Sequence, residues 1–356
     1  MTNWNDYLTA QAARHSATVP PHVRDFGSEL SATQLAKGFV AVIGDQGLIA
    51  VTGDDAATFL HNQLSNDVTH LGTEEARLAG YCTPKGRLQA SFLMWRSAAA
   101  VFLQLPREIQ APLQKRLSMF VMRAKATLSD ASADSATQVM LGFGGAGARQ
   151  ALEQLFGSVP EQPYGKLDHA LGTLIRLADA FGAPRFEWIT CAETAQAAWP
   201  ALATALTPAG TEAWRLSEIH AGVPQITLKT QEQFVPQMIN FELIGGINFK
   251  KGCYPGQEIV ARSQYLGKLK RRTVLATLAA SAQAGDEVFA VSDPEQPCGM
   301  VVNAAPNGNG NGSVDALVEI KLAALEVKSG EVRLGSASGA TLHFQPLPYA
   351  LDALAL

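Results

Sequence analysis

Residues 249–262 read FKKGCYPGQEIVAR and contain one cysteine, Cys253, between a glycine and a Tyr-Pro-Gly turn. The residues after the turn are typical of a short helix, and the unsatisfied N–H groups at the start of a helix favour a nearby negative charge. Together with the charges of Lys250 and Lys251, they favour the thiolate form of this cysteine. The alternative is a small buried thiol that only fills a tight turn. Because glycines bracket Cys253 and charged residues flank it, we predict that it reacts or contacts a ligand.

A second candidate segment is EAWRLSEIHAG, residues 212–222, which is predicted to be helical. Trp214 offers a flat indole face that can stack on a planar heterocycle, and one N–H donor. Arg215 can hold a carboxylate through two parallel hydrogen bonds. Ordinary core packing of Trp214 and a solvated position for Arg215 are the alternatives, and both stay open at this point.

The chain has 356 residues and a net charge of -4 at pH 7. This length predicts two or three domains. The chain lacks the excess positive charge that binding to nucleic-acid phosphates usually requires. Its densest basic cluster is KLKRR, residues 268–272. This cluster is either the solvated start of a strand or a patch for RNA or a polyglutamate tail.

Four cysteines are scattered along the chain without C-x-x-C spacing: Cys82, Cys191, Cys253 and Cys298. Neither a metal site within the chain nor a disulfide framework is therefore predicted. The amino terminus is polar and lacks the apolar core of a secretory signal, and no apolar run approaches the ~18 residues of a membrane span. These features predict a cytoplasmic protein with reduced thiols and no membrane partner.

The glycine-rich stretch GFGGAG, residues 142–147, matches the G-x-G-x-x-G pattern between a predicted strand and a predicted helix. A dinucleotide site also needs a parallel strand-helix-strand unit with an acid at the end of its second strand. Here the acids precede the next strand, and RLADAFGAPRFEWIT (176–190) is typical of a hairpin. We therefore interpret GFGGAG as a strand-to-helix turn.

The pattern of elements predicts an α+β protein in five parts. An irregular arm, two α+β lobes, a return segment with the cysteine motif and a C-terminal antiparallel β-barrel are expected, in that order, at residues 1–30, 31–136, 137–208, 209–268 and 269–356. In the first lobe, a strand at GLIAVTG precedes a helix that Asp54 or Asp55 caps and that runs to about residue 68. On this helix, Leu60, Leu64 and Val68 form one apolar stripe.

The longer stretch PQMINFELIGGINFKKGCYPGQEIVAR, residues 236–262, closely resembles the K-G-C-Y-x-G-Q-E signature of the YgfZ family. These are folate-binding proteins related to the T-protein of the glycine-cleavage system. The segments AWRLSEIHAGVP, YCTPKGRL and PLPYALD resemble the same family. The resemblance extends from about residue 35 to the end of the chain.

This resemblance implies a T-protein-like ring of three lobes, two α+β lobes and a β-barrel, around a central tetrahydrofolate. It also implies a role in the assembly or repair of iron-sulfur enzymes, including those that thiolate tRNA. The expected partners are folate and iron-sulfur or cluster-assembly proteins; the protein is expected to be a monomer, and direct binding of tRNA is left open. Cys253 is expected to be the functional thiol or a transient contact for a cluster.

The resemblance and the residues together define the expected site. Gly252 and Gly256 set the turn, and Gln257 and Glu258 either bind the ligand or cap the helix. The residues expected to bind the cofactor are Trp214, Arg215, Lys250, Lys251, Gly252, Tyr254, Gly256, Gln257, Glu258 and Arg262.

Two departures from the relatives affect the expected chemistry. Gln46 stands where a second folate-contacting tryptophan is expected, and Gln89 and Ala90 stand where the T-protein has a carboxylate pair. Aminomethyl transfer needs that pair, so a general acid or base is missing. The sequence therefore favours a tetrahydrofolate-binding accessory protein, with a folate-dependent aminomethyl transferase using Glu258 or another acid as the alternative. An RNA-docking module built on KLKRR is a third hypothesis.

Overall fold

A computed structural model describes residues 3–18, 21–133, 138–267, 269–326 and 331–351. Within these residues, helices are interspersed with antiparallel hairpins and three larger sheets. This arrangement confirms the predicted α+β class.

The helices in the described part of the chain are mostly short. Their bounds are α1 Trp4–Ala10, α2 Ala32–Leu35, α3 Ala56–His61, α4 Arg107–Ser118, α5 Ala148–Phe156, α6 Ala192–Ala205, α7 Thr211–His220, α8 Gln257–Tyr265 and α9 Leu322–Glu326.

The strands cover more of the described chain than the helices. Their bounds are β1 Arg14–His15, β2 Val23–Asp25, β3 Phe39–Ile43, β4 Gln46–Thr52, β5 Ala76–Cys82, β6 Leu88–Arg96, β7 Ala100–Pro106, β8 Thr127–Asp130, β9 Val139–Gly144, β10 Lys166–His169, β11 Gly172–Ala180, β12 Ala183–Thr190, β13 Thr207–Ala209, β14 Arg271–Leu278, β15 Glu287–Ala290, β16 Asp293–Pro306, β17 Val314–Lys321, β18 Val332–Leu334 and β19 Leu342–Gln345.

The first sheet has five antiparallel strands in the order β5-β6-β7-β4-β8. The segment YCTPKGRL contains the turn between the antiparallel strands β5 and β6. The second sheet has the order β10-β11-β12-β9-β3-β13, and only its β13–β3 pair is parallel. In it, β11 and β12 form the hairpin predicted from RLADAFGAPRFEWIT.

The strand β3 corrects the predicted division between the lobes. Its position in the chain predicts that it belongs to the first lobe, but it pairs with β9 and β13 of the second sheet. All five of its residues are buried, as expected for a strand covered on both faces. The first two lobes are therefore interlocked rather than consecutive.

The amino-terminal arm is not irregular, so that prediction was wrong. The side chain of Asn3 accepts a hydrogen bond from the Asn5 N–H and caps α1. Trp4 packs edge-on against Trp199 of α6, with ring centroids 5.8 Å apart, and Leu8 is buried. Apolar residues spaced along α1 thus dock the arm on the second lobe.

The helix predicted to reach residue 68 ends at His61. The chain then turns to pair with β5, through a hydrogen bond of 2.8 Å from the Ser65 N–H to the Gly80 carbonyl. Asp55 occupies the cap position, but its carboxylate accepts from the Lys125 N–H instead of a helix N–H. The apolar stripe is nevertheless buried at all three predicted positions: Leu60, Leu64 and Val68.

The C-terminal unit is a curled antiparallel sheet rather than a closed barrel. Its strand order is β18-β15-β16-β17-β14-β19. A single bridge between Arg333 and Thr341 brings the chain beside the two edge strands together without a continuous ladder. Its strand pairs are antiparallel, as predicted for residues 269–356.

One hydrophobic core joins the three sheets. Its buried members include Leu88 from the first sheet, Ile175 from the second and Leu275 from the C-terminal sheet, with Trp214 of α7 and Phe241 among them. The segment predicted to return through the molecule therefore supplies the centre of the core.

Candidate functional site

A cavity lies between the facing sides of the first and second sheets, next to α7. Its volume is about 40 Å³, below the roughly 300–1,000 Å³ typical of ligand pockets, but it adjoins an outer cleft of about 880 Å³ with which it shares Glu218 and Gln225. Its polar lining comes from Gln46, Ser91, Gln104, Tyr164, Arg185, Glu187, Glu218 and Gln225, and much of its apolar lining from Leu78, Leu93, Leu177, Val223 and Phe241.

The register of the strands places these side chains on one face of each sheet. In the first sheet, Leu78 lies opposite Leu93, which lies opposite Gln104. In the second sheet, Arg185 and Glu187 are two residues apart on β12. Because side chains alternate along a strand, both point to the same side of the sheet.

The cavity contains two carboxyl groups that are held by amides. The Gln104 side-chain N–H donates to Glu187 Oε1 at 2.7 Å. The Gln225 side-chain N–H donates to both oxygens of Glu218 at 3.0 and 2.9 Å, and Gln46 donates to Gln225 Oε1 at 3.0 Å. Burial raises the pKa of Glu187 to about 7 and that of Glu218 to about 8.

One acceptor in the cavity has no partner. Gln104 Oε1 is buried and finds no hydrogen-bond donor among the residues that the structure describes. Such an orphaned buried acceptor costs about 1–3 kcal/mol unless a ligand or water satisfies it. The cavity therefore favours a water or a ligand group that donates a hydrogen bond to this oxygen.

Trp214 does not line this cavity, which contradicts its predicted stacking role. It is fully buried, and its ring fills the space where a Cβ on Gly142 would lie 2.2 Å away. Arg185 stacks on it, with the guanidinium carbon 4.8 Å from the ring centroid. The alternative interpretation, core packing, is the one observed, and Trp214 reaches the cavity only through Arg185.

Arg215 lies in the adjoining outer cleft, which also contains Asp45 and Glu212. It donates to Asp45 Oδ2 at 2.6 Å and to Glu212 Oε1 at 2.9 Å. Its guanidinium is therefore already paired with carboxylates of the chain, and a ligand carboxylate would compete with them.

The cysteine motif forms a turn that packs on the β5–β6 hairpin, followed by α8. Gly256 has φ +82°, and a Cβ there would lie 2.3 Å from the Thr83 carbonyl oxygen. Glycine is the residue that fits both conditions. The turn and the start of the helix are thus placed where the sequence predicts them.

Lys251 and Tyr254 are buried beneath this turn and hold it in place. Lys251 Nζ donates to the backbone carbonyls of His61 at 2.6 Å and Gly252 at 3.1 Å, and lies 4.7 Å from the centre of the Tyr254 ring. Burial lowers the pKa of Lys251 to about 8. Both residues hold the loop from inside.

Cys253 lies on the surface of this turn and is exposed, whereas Cys82 and Cys298 are buried. The alternative of a small buried thiol is therefore wrong. The other exposed residues of the predicted site in this motif are Lys250, Gly252, Glu258 and Arg262, and Gln257 is half-buried. No side chain caps α8, so the capping alternative for Gln257 and Glu258 is not observed.

The central cavity and the motif are neighbours but not one pocket. Leu78 and Tyr164 line the cavity and also an open cleft bordered by Phe249 and Lys250. None of the predicted site residues, all within the described ranges, lines the central cavity itself. The structure thus places the predicted site residues in three locations. Trp214 lies in the core, Arg215 lies in the outer cleft, and the other residues lie in the cysteine motif.

Sequence reasoning missed Arg185, Glu187, Gln104 and Glu218 as cavity residues. A signal was present, because charged residues two apart interrupt the apolar strand at PRFEWIT, and a glutamine interrupts VFLQL. Burying a polar side chain inside an apolar strand costs free energy, so such a residue indicates a structural or functional role.

The basic cluster is largely engaged within the protein. Arg271 pairs with Glu319, and the buried Arg272 pairs with the buried Glu242. Lys270 is exposed, and Lys268 lies outside the described residues. The two arginines are therefore paired with carboxylates of the chain at the start of β14, and are not free to bind RNA or a polyglutamate tail.

The glycine-rich stretch GFGGAG does not form a dinucleotide site. GFGGAG connects β9 to α5, and β9 is antiparallel to both of its neighbours, which excludes the parallel unit of a dinucleotide site.

The described residues contain no group of three metal-binding side chains, and no described helix has the length and apolar character needed to cross a membrane.

Comparisons with known proteins add sequence and fold relatives. No family model matches the chain. It is 32% identical over 323 residues to the tRNA-modifying protein YgfZ of Cronobacter sakazakii, covering 86% of this chain and 92% of that protein. It is 30% identical over 317 residues to the protein of the same name from Photorhabdus laumondii, covering 87% and 92%.

The fold is similar to that of the glycine cleavage system aminomethyltransferase T from Bartonella henselae. The TM-score is 0.77 over 98% of both chains, at 17% sequence identity. This likeness confirms the T-protein-like fold. With the sequence identities above, it shows that this chain belongs to the family of the tRNA-modifying protein YgfZ.

Proposed function

We propose that the protein binds tetrahydrofolate where the central cavity meets the outer cleft, at Glu218 and Gln225, and uses Cys253 to support iron-sulfur enzymes, including those that thiolate tRNA. It acts as a cytoplasmic monomer and as an accessory protein rather than as a transferase. The observation that carries the folate proposal is the cavity with two amide-held carboxyl groups and an orphaned acceptor, Gln104 Oε1.

The chemistry of the cavity fits a reduced pterin. The edge of a pterin carries ring and amino N–H donors beside a carbonyl oxygen. Glu187, Glu218 and Gln104 Oε1 can accept from such donors, and Arg185 can donate to the carbonyl. The leucines on the first sheet and Phe241 supply apolar contacts for the flat ring.

Cys253 is the proposed reactive group because its thiol is exposed on a turn that hydrogen bonds hold in place. Lys251 holds the loop through two backbone carbonyls, so the thiol is presented in one place. The relatives are named for tRNA modification, and an accessory role in assembling the enzymes involved is consistent with that name.

Folate binding is tested by isothermal titration with 5-formyltetrahydrofolate. We expect Glu218→Ala to bind at least about tenfold more weakly, because loss of one good hydrogen bond in a buried site corresponds to about 1.4 kcal/mol. Glu193→Ala is the control, since Glu193 is an exposed carboxylate at the start of α6 and lines neither the cavity nor the outer cleft. No binding to the wild-type protein, or equal affinities for the two variants, would overturn the assignment of the cavity.

The thiol is tested by complementation of a strain that lacks the protein. Cys253→Ala is expected to abolish complementation without changing the fold, whereas Cys191→Ala, at a half-buried cysteine, should complement fully. Full complementation by Cys253→Ala would defeat the thiol proposal while leaving folate binding intact.

One observation favours the aminomethyl transferase as a second candidate. Glu187 and Glu218 put titratable carboxyl groups in the cavity, although Gln89 and Ala90 replace the expected pair. Gln89 itself is buried and donates to Glu232 at 2.8 Å. Turnover of an aminomethyl donor to methylene-tetrahydrofolate, lost in Glu218→Gln, would favour this candidate; no turnover supports the accessory role.

A further inference from the structure

An open cleft lies between the first lobe, the loop before the cysteine motif and the end of α8. Its volume is about 650 Å³, within the roughly 300–1,000 Å³ typical of pockets for small planar molecules and drugs. It is bordered by Phe249 and Lys250 of the loop and by Tyr265 of α8. The cleft therefore has room for one base of a nucleotide.

Two aromatic rings stand at the border of this cleft. The rings of Phe249 and Tyr265 pack edge-to-face, with their centroids 5.7 Å apart and their planes at 68°. Tyr265 is the last residue of α8 and is nevertheless 69% exposed. Because one edge-to-face contact positions the ring while most of it faces solvent, Tyr265 can stack on a second planar group.

Large apolar side chains next to Tyr265 are exposed as well. Leu266, at the end of α8, is 84% exposed, and Ile259 is 39% exposed. The two are seven residues apart and so lie on the same side of the helix, two turns from each other. Apolar side chains that are exposed singly are ordinary, whereas a group of them marks an interaction surface.

The charges beside these rings favour an anionic partner. Lys250 borders the cleft, and Arg262 precedes Tyr265 by one helical turn on α8. Both are exposed, and neither side chain has a hydrogen bond or an ion pair within the part of the chain that the structure describes. Asp67 also lines the cleft, but its carboxylate already accepts a hydrogen bond from the Thr69 hydroxyl at 2.9 Å.

We propose that this cleft and the adjoining side of α8 bind a single-stranded segment of RNA. One base stacks on Tyr265 and enters the cleft, while Lys250 and Arg262 contact neighbouring phosphates. An acidic protein surface would also pair with the two cations, but a nucleic acid strand supplies in addition a planar group for the ring and the cleft.

The choice of RNA over DNA rests on the proposed function, in which the protein supports the thiolation of tRNA. The site itself is argued from the exposed ring and the unpaired cations. It is distinct from the basic cluster KLKRR, because the arginines of that cluster are paired with Glu319 and Glu242.

The test is fluorescence anisotropy of a labelled oligo(A) ribonucleotide, about 12 nucleotides long, titrated with the full-length protein. We expect Tyr265→Ala to weaken binding about tenfold, the loss expected for one stacked base. Tyr265→Phe should bind as the wild type does, because stacking uses the ring rather than the hydroxyl group.

The same titration at several salt concentrations tests the phosphate contacts. Lys250→Gln and Arg262→Gln should each reduce the slope of log K against log salt concentration by about 0.7, the value for one phosphate of a single strand. Lys37→Gln is the matched control, since Lys37 is an exposed lysine of the second lobe that does not line the cleft. It should leave both the affinity and the slope unchanged.

Absence of binding to the wild-type protein at about 50 mM salt would overturn the inference, and so would an affinity that Tyr265→Ala leaves unchanged. Since the replaced side chains are exposed, the variants are expected to fold as the wild type does, and far-UV circular dichroism checks this. Binding of the oligonucleotide requires neither folate nor Cys253. Its failure is therefore distinguishable from failure of the folate titration or of the complementation test.

Discussion

At the scale of single residues, Gly256 determines the shape of the cysteine motif. It combines a left-handed backbone with a Cβ position 2.3 Å from a carbonyl oxygen of the β5–β6 hairpin. We expect Gly256→Ala to lower the free energy of unfolding by about 2–5 kcal/mol, from about 1–2 for the backbone and about 1–3 for the displaced hairpin. Urea unfolding measures this change.

Gly245→Ala is the control for this prediction. Gly245 has nearly the same φ, +79°, but no atom lies within 4 Å of its Cβ position. Only the backbone cost of about 1–2 kcal/mol is expected there. Equal losses in the two variants would mean that the close packing of the motif on the hairpin contributes nothing.

The carboxyl group of Glu218 makes stability depend on pH. Its pKa rises from 4.5 in the unfolded chain to about 8 in the folded protein because of burial. Between these values the folded state holds a proton that the unfolded state has lost, so stability falls as pH rises, by up to about 1.4 kcal/mol per pH unit for one proton.

Glu218→Gln removes this titration. The free energy of unfolding of the variant, minus that of the wild type, should therefore increase between about pH 5 and about pH 8. Urea unfolding at several pH values checks it. A difference that stays constant over this range would show that Glu218 is ionised in the folded protein at neutral pH.

The two groups of site residues differ in how far the sequence predicts them. Cys253 and its glycines lie together in the chain, so the turn, its helix and its charges can be predicted locally. Glu187 and Gln104 meet only because β12 and β7 belong to sheets that face each other. Nothing local in either strand specifies that meeting.

At the scale of elements, β14 is anchored to the segment before the motif by Arg272. This arginine is buried, pairs with the buried Glu242 and donates to the Gln237 carbonyl at 2.9 Å. Arg272→Ala leaves a buried carboxylate without its partner, and we expect a loss of about 3–5 kcal/mol in the free energy of unfolding. Chemical denaturation checks this value.

Lys270→Ala provides the matched control at an exposed site of the same basic cluster. A change within about 0.5 kcal/mol is expected. If Arg272→Ala were as stable as Lys270→Ala but had lost salt-dependent tRNA binding, the cluster would be an RNA patch rather than a structural anchor.

The elements themselves show where local pattern is sufficient. The short strands of the C-terminal sheet are predictable because alternation and turn residues mark each one. The end of α3 is not, since the apolar stripe continues to Val68 while the chain leaves the helix at His61 to pair with β5. The stripe is buried both in a helix that continues to Val68 and in one that ends at His61. Pairing with β5 determines which of the two forms.

At the scale of the whole molecule, contacts between distant parts of the chain create the cavity. Gln46 and Gln225 are 179 residues apart, yet they share a hydrogen bond beside Glu218. The resemblance to the YgfZ family predicts three lobes around a centre, and the T-protein-like fold confirms that arrangement. It does not predict that the segment carrying Trp214 fills the shared core instead of the ligand site.

The shared core predicts that the three lobes unfold together. Leu275 of the C-terminal sheet is buried in the same core as Trp214, and all five tryptophans precede residue 215. Tryptophan fluorescence therefore reports the chain before the C-terminal sheet, whereas far-UV circular dichroism reports all three sheets. Because loss of either side exposes the common core, the two signals should change at the same urea concentration.

Leu275→Ala tests this coupling directly. It deletes core volume from the C-terminal side and is expected to cost about 2–5 kcal/mol. If the lobes unfold as one unit, the fluorescence midpoint must fall with the circular dichroism midpoint, although the substitution lies outside the lobes that contain tryptophan. A fluorescence transition that stays at the wild-type position would show that the C-terminal sheet unfolds independently and that the common core does not couple the lobes.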